Sequence, residues 1–433
     1  MDHKAWAANN LAARLLAGAW TRKALAAAIR AVLGPGDRET RRALIADLAG
    51  LAEGRTPPAP QDLAIWLLHS PFFKPAPGRN VAAVLKPPRF APLPALAGLN
   101  LPALATTGDL AAWLGLSPAQ LDWLADSRRT HGSAEKLALQ HYRYALIPKR
   151  DGTKRLLEAP KPRLKAIQRR ILHEILDAVP VHGAAHGFVT GRSCRTGAQI
   201  HAGEAVVATF DLAGFFPSIG LPRIHGLFRS LGYPWGTARA LAGLCTTITP
   251  RDLRPDALHG VPHLPQGAPT SPALANLLAF TLDRRLDGLA RAAGANYTRY
   301  ADDLAFSGDA AFAKALPRFT NSVETILREE GFHLNAAKTR IMPSTGRQRV
   351  TGIVVNAHCN TGRAEFETLK ATLHNCARTG PAAQNRESVP DFHAHLQGKI
   401  AWVTQINPAH GVKLWRLFDQ IDWNPKAAPP GHA

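Results

Sequence analysis

Three aspartates could do chemistry together. Asp211 follows the apolar run Val206-Val207-Ala208-Thr209-Phe210 and precedes Leu212-Ala213-Gly214-Phe215-Phe216-Pro217. Asp302 and Asp303 lie in Tyr300-Ala301-Asp302-Asp303. Adjacent carboxylates repel one another unless a cation compensates them. Two cations roughly 4 Å apart, bridged by carboxylates, are a standard device for in-line phosphoryl transfer. Oxygen ligands with no His or Cys beside them favour Mg²⁺ over Zn²⁺. An Asp-Asp pair alone is more often simple turn chemistry. The flanking tyrosine and the second aspartate-bearing strand shift the balance towards a metal site.

The pattern around these residues predicts the elements that must hold them. Residues 206–210 read as a short buried strand ending at Asp211, and 297–306 as two strands joined at Asp302-Asp303. Residues 143–148 and 156–160 flank Asp151-Gly152, a hairpin signal. Leu164, Ile167, Ile171, Leu172 and Ile175 have helical spacing, as do Phe312, Leu316, Phe319, Val323, Ile326 and Leu327, which Gly331 closes. Residues 350–355 read as one more strand, and the chain is helical from Glu365 on. Upstream, two helical stretches are separated by Gly34-Pro35-Gly36, residues 70–105 form a Pro-rich connector, and 107–126 hold two short helices around Gly115. The order is α+β with a helical start and finish.

The chain has 433 residues, with 52 Lys and Arg against 32 Asp and Glu, a net charge of +20. That excess calls for a polyanion, nucleic acid before an anionic membrane surface. Ten basic and two acidic residues fall between Arg143 and Arg170, the electrostatic focus of the sequence. No apolar run reaches the roughly 18 residues of a membrane span. The basic, Ala-rich opening lacks the serines of a transit peptide and reads as a surface helix. Cys194, Cys245, Cys359 and Cys376 are scattered without a CxxC pair, which favours a reducing, cytoplasmic setting over a disulfide framework. His374, Cys376, His393 and His395 lack zinc spacing. His186 and His201 read as hydrogen-bonded structural histidines, and Trp402, Trp415 and Trp423 as core of a C-terminal helical bundle, with base stacking as the alternative for one of them.

Taken as an ordered set, the motifs resemble those of reverse transcriptases. Tyr300-Ala301-Asp302-Asp303 is similar to the YxDD box, and Asp211 with Phe215-Phe216 to the first palm aspartate and its aromatics. Gln266-Gly267-Ala268-Pro269-Thr270-Ser271-Pro272 resembles the QGxPxSP box, and Leu334-Asn335-Ala336-Ala337-Lys338-Thr339 the later lysine motif. Ile147 to Arg155 and Leu164-Lys165-Ala166-Ile167-Gln168 resemble the fingers hairpin and its following helix. These boxes cover about residues 140–360, and such an ordered set is far more specific than any one box. Val350-Thr351-Gly352 and Ala185-His186-Gly187-Phe188 narrow the likeness to bacterial retron enzymes. Their NAxxH element has a near match at Gly197-Ala198-Gln199-Ile200-His201, with Gly197 where asparagine is expected. Residues 1–105 lie outside the resemblance.

That resemblance implies a right-hand polymerase: fingers and a ferredoxin-like palm over 106–360, a helical thumb over 361–433, and a helical N-terminal extension over 1–105. It implies two Mg²⁺ ions held by Asp211 and Asp302, with Asp303 as a weaker ligand, the Leu212 carbonyl as a further ligand and Lys338 as proton donor to pyrophosphate. Lys149 and Arg155 would grip the dNTP triphosphate, Arg as a fork and Lys as a point charge. Phe216 would exclude a 2′-hydroxyl under the incoming sugar, so that the product is DNA. Gln266 and Gly267 would line the nucleotide pocket, and Lys154, Lys165 and Arg169 would contact the template. A retron enzyme copies part of a structured non-coding RNA into single-stranded DNA, commonly 2′-primed and branched, in anti-phage defence with an accessory effector. The competing readings are a group II intron or diversity-generating reverse transcriptase, and a non-catalytic RNA-binding palm. Too few residues follow the VTG triplet for an intron enzyme's extensions, and the intact aspartates, Gln266 and Lys338 argue against lost catalysis.

Overall fold

Alternation along one strand organises the fold. In β3 (Val206–Ala213), Val206, Ala208, Phe210 and Leu212 belong to the main hydrophobic core, whereas Val207 belongs to a second, smaller one. A period of two sends successive side chains to opposite faces, so Asp211 shares the face of Val207. The computed structural model describes residues 3–16, 20–34, 37–51, 58–75, 88–127, 140–148, 152 and 154–423.

The chain forms two compact units, Met1–Pro88 and Arg89–Ala433. In the first, helices α1 (His3–Leu16), α2 (Arg22–Leu33), α3 (Arg38–Leu51) and α4 (Pro60–His69) share a core of Leu11, Leu15, Leu25, Ile29, Leu44, Leu48, Leu63 and Leu67. Gly34 caps α2 at φ +78°, the stop its sequence predicts. The boundary differs from the expected one at residue 105. Leu104 is buried, and Phe90, Leu96, Leu99 and Leu101 pack against the core of the second unit. Prolines there make the chain extended without freeing it from the core. Residues 76–87 of the expected connector lie outside the described residues.

The second unit begins with α5 (Thr107–Leu114) and α6 (Pro118–Leu124), each opened by a capping box and separated by left-handed Gly115. The hairpin of β1 (Tyr142–Pro148) and β2 (Lys154–Pro160) follows, antiparallel throughout. Next come α7 (Pro162–Ile171), which continues as a π-helical turn over Leu172–Leu176, and α8 (Cys194–Gln199). After β3 come α9 (Leu221–Ser230), α10 (Trp235–Leu244), α11 (Ser271–Leu278) and α12 (Phe280–Ala292).

The central sheet is completed by β4 (Asn296–Tyr300), β5 (Asp303–Gly308), β6 (His333–Leu334) and β7 (Arg340–Pro343). Its order is β4-β5-β3-β6, with β7 also on β3, and every pairing is antiparallel. α12 and α13 (Ala310–Glu329) cover one face, where Phe312, Leu316, Phe319, Val323 and Leu327 pack with Phe210 and Phe306. Against the other face lie α8 and the hairpin β8 (Arg349–Val350)–β9 (Ile353–Val354), whose Val350 and Ile353 pack with Val207 and Ala305. The single strand expected over 350–355 is thus two, because Thr351 at φ +46° and Gly352 at φ +87° turn the chain.

α14 (Arg363–Thr379), α15 (Pro381–Gln384), α16 (Phe392–Ile406) and α17 (Pro408–Phe418) form the C-terminal bundle, cored by Leu369, Leu373, Leu396, Ile400 and Leu414. Trp415 and Trp423 pack against this core, but Trp402 is exposed, contrary to expectation. Among the described residues no helix is long and apolar enough to cross a membrane.

Candidate active site

Register brings the aspartates together. Asp211 sits opposite Asp303 in the β3–β5 ladder, and Tyr300 pairs with Asp303 on the other side. Asp211 is therefore inside its strand, not at its end, and Asp303 opens β5, which leaves Ala301-Asp302 as the turn. The strand runs two residues further than expected because Leu212 and Ala213 pair with β6. Leu212 N donates to the Asp302 carbonyl at 3.0 Å, which ties the turn to the central strand.

Each carboxylate sits in a different electrostatic setting. Burial pushes Asp302 above the usual carboxylate range, the charge of Asp211 adds to this, and Lys338 and Arg155 oppose it. Asp303, the most exposed of the three, is pushed up to about 6, first by partial desolvation and then by the charges of Asp302 and Asp211. Asp211, almost buried, is held by two donors. Lys338 Nζ donates to its Oδ1 at 2.9 Å and Asn335 Nδ2 to its Oδ2 at 3.0 Å. Asn335 N also donates to the Asp211 carbonyl at 2.8 Å. The Asp211 hydrogen bond raises Lys338 above its ordinary value, so the lysine is a standing cation beside three carboxylates.

Mutually repelling carboxylates with hard oxygen donors suit a hard divalent cation. Among the described residues no group of three or more His, Cys, Asp or Glu is already arranged around a metal position, and both oxygens of Asp211 are engaged by protein donors. The donor set fits a divalent ion, which would compete with Lys338 and Asn335 for the Asp211 oxygens.

Residues 147–355 match the family described as reverse transcriptase (RNA-dependent DNA polymerase). The chain is 44% identical over 329 residues to the retron Mx65 reverse transcriptase of Myxococcus xanthus, covering 74% of this chain and 73% of that one. It belongs to the retron reverse transcriptase family. With the retron Mx162 enzyme of the same organism it shares 40% identity over 341 residues, 74% of this chain and 68% of that one. With the retron Ec86 enzyme of Escherichia coli it shares 33% over 307 residues, 68% and 88% of the two chains. The protein is an RNA-directed DNA polymerase with a right-hand fold, working on an RNA template to give a DNA product.

The other sequence-predicted residues of this reverse transcriptase surround the aspartates unevenly. Arg155 is exposed on β2 and reaches Asp302 electrostatically. Lys154 is exposed beside it, as are Lys165 and Arg169 on α7, while Lys149 lies outside the described residues. Phe215 is buried and Phe216 only half-buried, their rings 5.5 Å apart, so Phe215 is the one that points into the core. The Gln266 carbonyl accepts from Glu158 N at 2.8 Å, which docks β2 on the Gln266-Gly267 loop. Gly267, at φ +132°, has a backbone that strains any side chain, and a Cβ would lie tightly, 3.0 Å from Leu157 Cδ1 and 3.1 Å from the Glu158 carbonyl.

Both histidines are hydrogen-bonded. His201 is buried between Ser307 Oγ at 2.8 Å and Thr298 Oγ1 at 2.7 Å, and His186 meets Thr196 Oγ1 at 2.8 Å. Sequence reasoning did not single out Asn335, although it stands inside the lysine motif. It also missed the buried trio of Glu158, Thr249 and His263, in which Glu158 bonds Thr249 at 2.6 Å and His263 at 3.0 Å. Their separation along the chain hides them.

Proposed function

We propose that Asp211, Asp302 and Asp303 hold two Mg²⁺ ions, with the Leu212 carbonyl as a further ligand, and that the polymerase copies a cognate structured non-coding RNA into single-stranded DNA. The observation that carries this is the Asp211–Asp303 register beside Asp302, with Lys338 on Asp211. Bound metal would stabilise charge on the attacking oxygen and on the leaving pyrophosphate. Around it, Arg155 and Lys149 bind the dNTP triphosphate, and Gln266 and Gly267 shape the floor on which the nascent base pair sits. Phe216 packs under the sugar and rejects the 2′-hydroxyl. Release of Asp211 frees the Lys338 ammonium to protonate pyrophosphate. Lys154, Lys165 and Arg169, all exposed and basic, bind template phosphates.

Synthesis starts at an RNA 2′-hydroxyl and leaves a branched product, and the RNA–DNA complex serves anti-phage defence with an accessory effector. The retron relatives support this reading. The test is to incubate the protein with RNA transcribed from its own genomic neighbourhood, dNTPs and Mg²⁺. A DNA product whose 5′ end stays joined to RNA until a debranching enzyme releases it is expected, and an unjoined product would refute branched priming.

A further inference from the structure

The turn that presents Asp302 is braced by an arginine that reaches no solvent. Arg299 on β4 and Asp283 on α12 are both 0% exposed. Arg299 Nε donates to Asp283 Oδ1 at 2.7 Å and Nη2 to Oδ2 at 2.6 Å, and Tyr297 Oη donates to the same Oδ1 at 2.8 Å. A buried guanidinium is tolerated only when its donors are used. With the fork fixed by Asp283, Nη1 is aimed at Asn276 Oδ1, 2.9 Å away, and at the Ala301 carbonyl, 3.1 Å away.

The Ala301 carbonyl belongs to the peptide that enters Asp302. Ala301 stands at φ +56°, a left-handed conformation that L residues with a Cβ rarely adopt. The next peptide, leaving Asp302, is held by Leu212 N. Asn276 Nδ2 also donates to the Gly187 carbonyl at 2.8 Å, and Gly187 packs so tightly that a Cβ there would lie 2.7 Å from Ala301 N. Both peptide planes flanking Asp302 are therefore tied to the rest of the fold by hydrogen bonds, one from Leu212 N and one from Arg299.

We propose that Arg299 is a positioning residue for polymerisation: through the Ala301 carbonyl it fixes the direction in which the Asp302 carboxylate projects, while Asp283 and Asn276 orient its guanidinium. This rests on Asp302 being a metal ligand. A lysine could pair with Asp283, but its single nitrogen cannot hold the fork and also reach Ala301.

Primer extension by the full chain on a synthetic RNA template with an annealed DNA primer, dNTPs and Mg²⁺ tests the proposal, alongside thermal unfolding and template–primer binding. Arg299→Lys is expected to lower kcat per folded molecule on the order of 100-fold, with KM for dNTP and template–primer affinity unchanged. The triple variant Arg299→Met/Asp283→Leu/Tyr297→Phe removes the buried polar group whole, so that no charge is orphaned, and should show the same loss in kcat. Asn276→Ala, which leaves the ion pair intact, keeps the test decisive if both of those unfold: its kcat should fall at unchanged KM. Wild-type kcat per folded molecule in the folded variants overturns the proposal. Asp302→Asn run in parallel separates the two readings: if that variant polymerises normally, it is the metal-ligand assignment that fails.

Discussion

Lys338 Nζ donates to Asp211 Oδ1 across 2.9 Å, and Asn335 Nδ2 takes the other oxygen at 3.0 Å. A short 3-10 turn over Ala336–Lys338, following β6, brings both donors to the central strand. The ammonium neutralises one of three carboxylates that would otherwise repel one another. Lys338→Met is expected to slow single-turnover incorporation on the order of 100-fold, the size of a lost general acid, without weakening template–primer binding. Unchanged single-turnover rates would show the lysine to be a counter-ion only.

Phe215 and Phe216 separate by burial, and substitution should separate them by effect. Phe215→Ala should cost about 3–5 kcal/mol of stability as a core truncation. Phe216→Ala should cost clearly less and should raise incorporation of ribonucleotides relative to deoxyribonucleotides. The ratio of kcat/KM for the two sugars measures this, and an unchanged ratio would remove Phe216 as the gate.

Gly267 sits at φ +132° against the β2 backbone. Gly267→Ala must strain this loop, at roughly 1–3 kcal/mol, or push β2 away. Either outcome should raise KM for dNTP, while binding of template–primer alone stays near wild type. Steady-state kinetics at saturating template–primer would show it.

His201 makes stability depend on pH. Burial, with a smaller push from His186, holds it down at about 3 against an ordinary 6.5. Between those values the unfolded chain takes up a proton that the folded chain refuses. Stability from this group is complete above pH 6.5 and falls as pH drops towards 3, by up to about 1.4 kcal/mol per pH unit. His201→Gln should be less stable than wild type at pH 8 but show a shallower decline below pH 6.5 in urea unfolding. Equal slopes would contradict this.

Local pattern made much of this legible. Gly34, Gly115 and Ser117 end or start helices where their residue types say they should, and the spacing from Phe312 to Leu327 predicts α13. Order along the chain also pointed to the polymerase fold, because Asp211, Gln266, Asp302 and Lys338 come in one characteristic sequence. What stayed hidden depends on pairing between distant segments. Nothing near Asp211 says that β6 will extend its strand, and Arg299 reads as an ordinary strand cation until Asp283 and Asn276 are brought around it. Residues 89–105 read as linker because prolines suppress periodicity, although Leu104 packs in the core. Trp402 shows the reverse error, an aromatic assigned inward that the bundle leaves on its surface.

The central claim is that Asp302 and Asp303 carry the chemistry with Asp211. Primer extension by Asp302→Ala/Asp303→Ala, with folding and template–primer binding checked on the same preparation, tests it most directly. A variant that folds and binds but yields no DNA is the predicted result. Extension at a rate near wild type would contradict the account.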